Sequence, residues 1–258
     1  MSNYKLIYIV FTFFVLSCSD VKIIPNYEKF TSDIGELNYR ILYPKNFDKS
    51  KNYPLTLFLH GIAERGDDNE LQLKYIDKVF LDQKKYIDFP SIVIFPQAPL
   101  SDNWSSRILT ENEIRQVFPK DATPTKSLQI VIKLMDSLSQ ENYVDKKRIY
   151  LSGLSNGAMG SFELLKERPN MFASAVLICG GGDPNWVKKF AITTPIWIAH
   201  GSNDDVVHPN FSIEMAEAII NEGGSPKLTL YENVFHDSWH NVFSDPDYLK
   251  WMFSYSKN

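Results

Sequence analysis

Short apolar runs alternating with stretches of helical spacing dominate the sequence from residue 37 onward, and they leave few folds open. Residues 55–59, 92–95, 148–151, 174–179, 195–199 and 227–231 read as strands, and 37–43 as a strand with alternating polar and apolar positions. Runs such as 55–59, with little polar interruption, are expected of strands covered on both faces. Between them, residues 127–138 set Leu128, Val131, Ile132, Met135 and Leu138 on one helical face, entered through Thr123-Pro124. Residues 156–167, 211–220 and 247–255 read as further helices. This alternation predicts an α/β fold of one domain, a mostly parallel central sheet with helices on both faces. A chain of 258 residues is long enough to close such a core without disulfides or metals.

In parallel sheets ligands gather beyond the carboxyl ends of the strands. Those positions hold His60-Gly61, Pro96-Gln97, the 153–157 pentapeptide, Gly180-Gly181-Gly182, His200-Gly201 and residues 232–236, a set rich in Gly, His and Ser. Gly153-Leu154-Ser155-Asn156-Gly157 follows a strand and opens a helix, the setting in which a G-x-S-x-G turn lifts a serine above the sheet. The turn leaves no room for side chains two residues before and after the serine. The helix beginning there favours developing negative charge.

Together with Phe58-Leu59-His60-Gly61, Glu64-Arg65-Gly66, Phe95-Pro96-Gln97-Ala98-Pro99, His200-Gly201-Ser202-Asn203-Asp204 with Val207, and His236-Asp237-Ser238-Trp239, the turn resembles the α/β-hydrolases. The likeness is to the esterase branch that holds polyhydroxybutyrate depolymerase-like, feruloyl-esterase-like and "predicted peptidase" proteins, and it spans residues 37–258. It implies a Ser–Asp–His chain order, with Ser155 as nucleophile, Asp204 as the acid and His236 as the base. Asp205 and Asp183 are the competing acids. His60 and His200 fall outside that order and read as turn braces; His208 falls at a helix start. His240 lies four residues past His236, with no intervening Glu and no third ligand to suggest a metal. The oxyanion donors implied are the backbone N–H groups of Asn156 and, from the loop after 55–59, Ile62. Glu64, Arg65, Asp67 and Asp68 read as a loop brace. Trp104, in a long connection over 99–123, and Trp239 are candidate substrate-binding aromatics. No cofactor is expected.

The first residues form an address rather than a fold. Lys5 precedes an apolar run over 6–16, too short to span a bilayer, and Val15-Leu16-Ser17-Cys18 resembles a bacterial lipobox. The reading is a signal peptide over 1–17, a lipidated Cys18, a tether over 18–36 and a catalytic domain over 37–258, in the cell envelope and held to the membrane by lipid only. Cys179, the other cysteine, then has no disulfide partner and reads as a buried hydrophobe. With 27 basic against 31 acidic residues and a net charge of −4, nucleic acid is not expected as a partner. The expected activity is hydrolysis of carboxylic esters through an acyl-enzyme, small or polysaccharide-linked, including acetyl and feruloyl esters. A peptidase on the same scaffold and a non-catalytic glycan-binding protein are the rival readings.

Overall fold

A computed structural model of the chain describes residues 23–109, 116–119 and 121–258. The strands are β1 (Asn26–Ser32), β2 (Gly35–Leu42), β3 (Tyr53–Leu59), β4 (Ile92–Gln97), β5 (Ile108–Leu109), β6 (Gln116–Val117), β7 (Val144–Leu154), β8 (Ser174–Ile178), β9 (Ile196–Gly201) and β10 (Lys227–Tyr231). The helices are α1 (Gln83–Asp88), α2 (Lys126–Leu138), α3 (Asn156–Glu167), α4 (Asn210–Asn221), α5 (Trp239–Ser244) and α6 (Tyr248–Phe253). Eight strands form one sheet in the order β1-β2-β4-β3-β7-β8-β9-β10, and β5 pairs only with β6. From β4 to β10 the pairing is parallel; β1 and β2 are antiparallel additions.

Side chains alternate across the sheet and build a core on each face. On one side, Leu55, Leu57, Leu59 and Leu151 pack with α2, α3 and α4 through Leu128, Met135, Met159, Phe162 and Met215. On the other, Phe58, Tyr150 and Trp197 pack with Ile76, Val79 and Phe80 and with Val242, Phe243, Tyr248 and Met252 of α5 and α6. Thr125 caps α2 by accepting from the Leu128 amide, two residues later than Thr123-Pro124 suggested. α3 is buried from Asn156 through Lys166 because β3, β7, α2 and the turn at Pro184–Lys189 surround it.

The expectation of a tether over 18–36 is corrected by β1. Residues Asn26 to Ser32 pair in register with Ile41 to Gly35 and form one edge of the sheet. Their sequence, NYEKFTS, is largely exposed and does not alternate strictly, so it carries no period-two signal. The signal and lipidation expectations, residues 1–17 and Cys18, lie outside the described residues. Among the described residues no helix is long and apolar enough to cross a membrane.

Candidate active site

Ser155 stands at the junction of β7 and α3 with φ +52° and ψ −119°, a backbone conformation that L-residues avoid. Neighbouring backbone forces it there. A Cβ on Gly153 would lie 2.5 Å from the Gly157 carbonyl oxygen, and one on Gly157 would lie 2.1 Å from that of Leu59. The Ser155 amide donates to the Ile178 carbonyl at 2.8 Å, which ties the turn to β8. The side chain thereby reaches the rim, where its hydroxyl lies 2.9 Å from His236 Nε2.

His236 comes from the loop after β10, and its Nδ1 lies 2.7 Å from Asp204 Oδ2 in the loop after β9. The two loops are stitched together: Ser202 and Asn203 donate to the carbonyls of Tyr231 and Val234. A Cβ on Gly201 would meet the Val234 carbonyl oxygen at 2.3 Å, so only glycine allows this approach. The Asp204 side chain has no exposed surface. Its Oδ1 accepts from the Val206 and Val207 amides, and its Oδ2 accepts from both His236 and His200. Burial alone would push its carboxyl up, but the hydrogen bonds from His200, His236 and Val207 outweigh burial and hold it well below the usual carboxylate range. Ser155, His236 and Asp204 therefore form one continuous hydrogen-bonded line.

The competing residues lie elsewhere. Asp205 is exposed. Asp183 accepts from the amide and side chain of Asn185 and caps the turn at Pro184–Lys189. His208 is exposed and accepts from the Asn210 amide. His240 is also exposed and packs against Tyr75 and Trp239. His60 braces its turn: Nδ1 donates to the Gly61 carbonyl and Nε2 accepts from the Ala98 amide, and burial brings its pKa down to about 4. His200 was read the same way, yet its ring reaches Asp204; the four-residue spacing of the two was the only trace of that contact in the sequence.

Asn156 and Ile62 each open a helical turn, α3 and Ile62–Glu64, whose first amides have no acceptor within their own turn. A Cβ on Gly61 would be 3.7 Å from Ser155 Cβ, so the Ile62 loop lies against the serine. Arg65 holds that loop by donating to the carbonyls of Ile62, Leu100 and Asp102. The brace expected of this cluster therefore runs from a guanidinium to carbonyls. Glu64 is buried beside Gly61, and burial pushes its carboxyl up.

Trp104 is corrected. It has no exposed surface, meets the His60 ring edge at 5.0 Å and presses its backbone on Gly160 of α3. It is a core side chain and offers no wall to a ligand. Its amide donates to Asn156 Oδ1 at 3.0 Å, so the loop bearing it is anchored on the residue after Ser155. Trp239 is half-buried and lies edge-on to His236 at 5.6 Å.

Among the described residues, one group brings three possible metal-ligand atoms within 4.8 Å: Cys179, Asp204 and His236. Two of them belong to the hydrogen-bonded line, and burial pushes the Cys179 thiol well above its ordinary range, so it is held as the neutral thiol.

Residues 47–247 match the family model described as phospholipase/carboxylesterase. The chain is 28% identical over 158 residues to a bifunctional acetylxylan esterase/xylanase from Neocallimastix patriciarum, covering 61% of this chain and 20% of that relative. A solved thermostable esterase superposes with a TM-score of 0.80 at 32% identity, over 90% of this chain and 63% of the other. A ferulic acid esterase from the anaerobic fungus Anaeromyces mucronatus superposes with a TM-score of 0.56 at 15% identity, over 93% and 96% of the two chains, a likeness of fold. The chain thus spans a fifth of the curated relative and under two thirds of the esterase.

Proposed function

This chain belongs to the phospholipase/carboxylesterase family, and on that premise we propose that it is a serine hydrolase of carboxylic esters. The observation that carries the reading is the unbroken line from the Ser155 hydroxyl through His236 to Asp204, at 2.9 and 2.7 Å. Asp204, a carboxylate down to low pH, accepts the Nδ1 proton of His236 and leaves Nε2 free to accept from Ser155. As Ser155 Oγ bonds to the carbonyl carbon, its proton passes to Nε2 and the imidazolium is stabilised by Asp204. The amides of Asn156 and Ile62 donate to the oxygen that gains charge. The tetrahedral intermediate collapses as His236 returns the proton to the departing alcohol. Water then repeats the sequence on the acyl-enzyme and releases the acid.

The substrate class proposed is a small acyl group, acetyl or feruloyl, on a polysaccharide alcohol. Support comes from the acetylxylan esterase named among the relatives and from the Trp239 ring edge-on to His236, which we assign to contact with a sugar or phenolic ring. Ser155→Ala is expected to lose turnover of p-nitrophenyl acetate and of acetylated xylan while keeping the wild-type melting temperature. Retained hydrolysis would remove the assignment, and preference for a peptide chromogen would move it to peptidases. From residues 1–18 we propose further that the protein is exported and lipid-anchored at Cys18 in the cell envelope. Incorporation of labelled palmitate that Cys18→Ser abolishes is the expected result; equal labelling of the variant argues against the anchor.

A further inference from the structure

His200 is the penultimate residue of β9, its side chain wholly buried, and three partners surround it. Its Nε2 lies 3.0 Å from Asp204 Oδ2 and 2.8 Å from the Val207 carbonyl oxygen. Both are acceptors, so Nε2 carries a proton. Its Nδ1 lies 2.7 Å from Ser212 Oγ on α4, and that hydroxyl is also 3.0 Å from the Gly180 carbonyl. The single Ser212 proton goes to one or the other. In either arrangement Nε2 keeps its proton, which it shares between Asp204 Oδ2 and the Val207 carbonyl. One carboxylate oxygen thus accepts from two imidazoles, His236 at the rim and His200 beneath it.

We propose that His200 is a positioning residue that sets the basicity of His236 through their shared carboxylate. The inference rests on the reading of Ser155, His236 and Asp204 as a proton relay. A donor on Oδ2 draws charge from that oxygen and lessens its hold on a protonated His236. His236 therefore stays neutral, the form that accepts the serine proton, to lower pH than it would with Asp204 unshared. The same bond fixes the plane of the carboxylate, since Oδ1 is already held by the Val206 and Val207 amides. Other ionisable groups around the pair are Glu64 beside the β3 loop, which feels the His236 charge, and Lys74 facing Glu64. Cys179 after β8 feels the charges of Asp204 and Asp237. None of these changes when His200 is replaced.

The test is the pH dependence of kcat/KM for p-nitrophenyl acetate in the wild type, His200→Leu and His200→Gln. With His200→Leu the acidic limb is expected to move up by about half a pH unit or more, a roughly threefold or greater extra loss at a fixed acid pH. With His200→Gln, whose amide donates from near the Nε2 position, the limb is expected to return towards the wild-type value. A purely structural role would lower the plateau and leave the limb in place; that result, or a Gln variant shifted as far as Leu, overturns the proposal. A wild type that neither turns over ester nor labels at Ser155 with a fluorophosphonate instead removes the esterase reading itself. A second measurement needs no activity and no folded variant at position 200. In ¹⁵N-histidine spectra of the unaltered chain, His200 is expected to show a protonated Nε2 whose resonance moves in Asp204→Asn; an unprotonated Nε2 overturns the proposal.

Discussion

The serine side of the candidate active site is shaped by what the backbone excludes, and the histidine–aspartate side mainly by what side chains and loop amides donate. Ser155 owes its place to Gly153 and Gly157, where an added methyl would run into the Gly157 and Leu59 carbonyls. Asp204 and His236 owe theirs mainly to a chain of hydrogen bonds that reaches back through His200 and Ser212 to Gly180. Contact between backbone atoms changes steeply with distance, whereas a hydrogen bond can be weakened or shared. Except at Gly201, where main-chain contact also sets the second side, substitutions on the first side should therefore act on the fold, and those on the second on rate and its pH dependence.

Gly157→Ala tests the first half and should have the largest effect. Its Cβ meets main chain rather than a movable side chain, so a loss of about 3 kcal/mol or more in urea unfolding is expected, with activity falling in proportion to folded protein. A variant as stable as the wild type would show that the turn can relax, and the contrast would fail.

Asp204→Asn tests the second half. Its oxygen can still accept from the Val206 and Val207 amides, so a folded protein is expected. The fall in kcat should be severe, roughly four orders of magnitude, as when the corresponding carboxylate becomes an amide in a serine protease. The folded pKa of Asp204 is lowered, so the stability it contributes is present above its unfolded value of about 4 and is lost as pH falls through the folded value. The stability gap between wild type and variant should be constant near neutral pH and narrow only in acid. A gap that widens in acid would reverse the sign assigned to this carboxylate.

Glu163 sharpens the contrast with the smallest effect. It is a buried carboxylate on the serine side, on α3, which accepts from the Ser106 amide and the Ser105 hydroxyl. Here burial outweighs the hydrogen bonds and pushes the carboxyl up, the reverse of Asp204. A raised pKa means that folding stability falls as pH rises from the unfolded value of about 4.3 through the folded one. Glu163→Gln should remove that fall, leaving the protein at least as stable at neutral pH and kcat within about twofold of wild type. Parallel stability curves from pH 4 to 8 would refute it.

The same contrast explains what the sequence made legible. The fold class and the β7–α3 turn show in apolar runs and in glycines, because steric demands act through residue type at fixed spacing. β1 was missed because an edge strand with mixed polarity leaves no period, and α1 because six residues are too few to show one. Trp104 was misplaced because a tryptophan in a loop past a strand looks the same whether it lines a cleft or fills a hole. The main chain that carries it lies against Gly160, 56 positions away in the chain, which reads as one more small residue. His200 was passed over as a brace because hydrogen-bond direction is not written in the order of residues.

Cys179 carries a practical consequence. Its thiol lies sealed under the Asp204–His236 contact, with burial holding it protonated. Alkylating reagents need both access and a thiolate. In a chain with Cys18 changed to serine, modification of this sulfur would proceed only as often as the layer above it comes apart, making it an internal clock for transient opening of the rim.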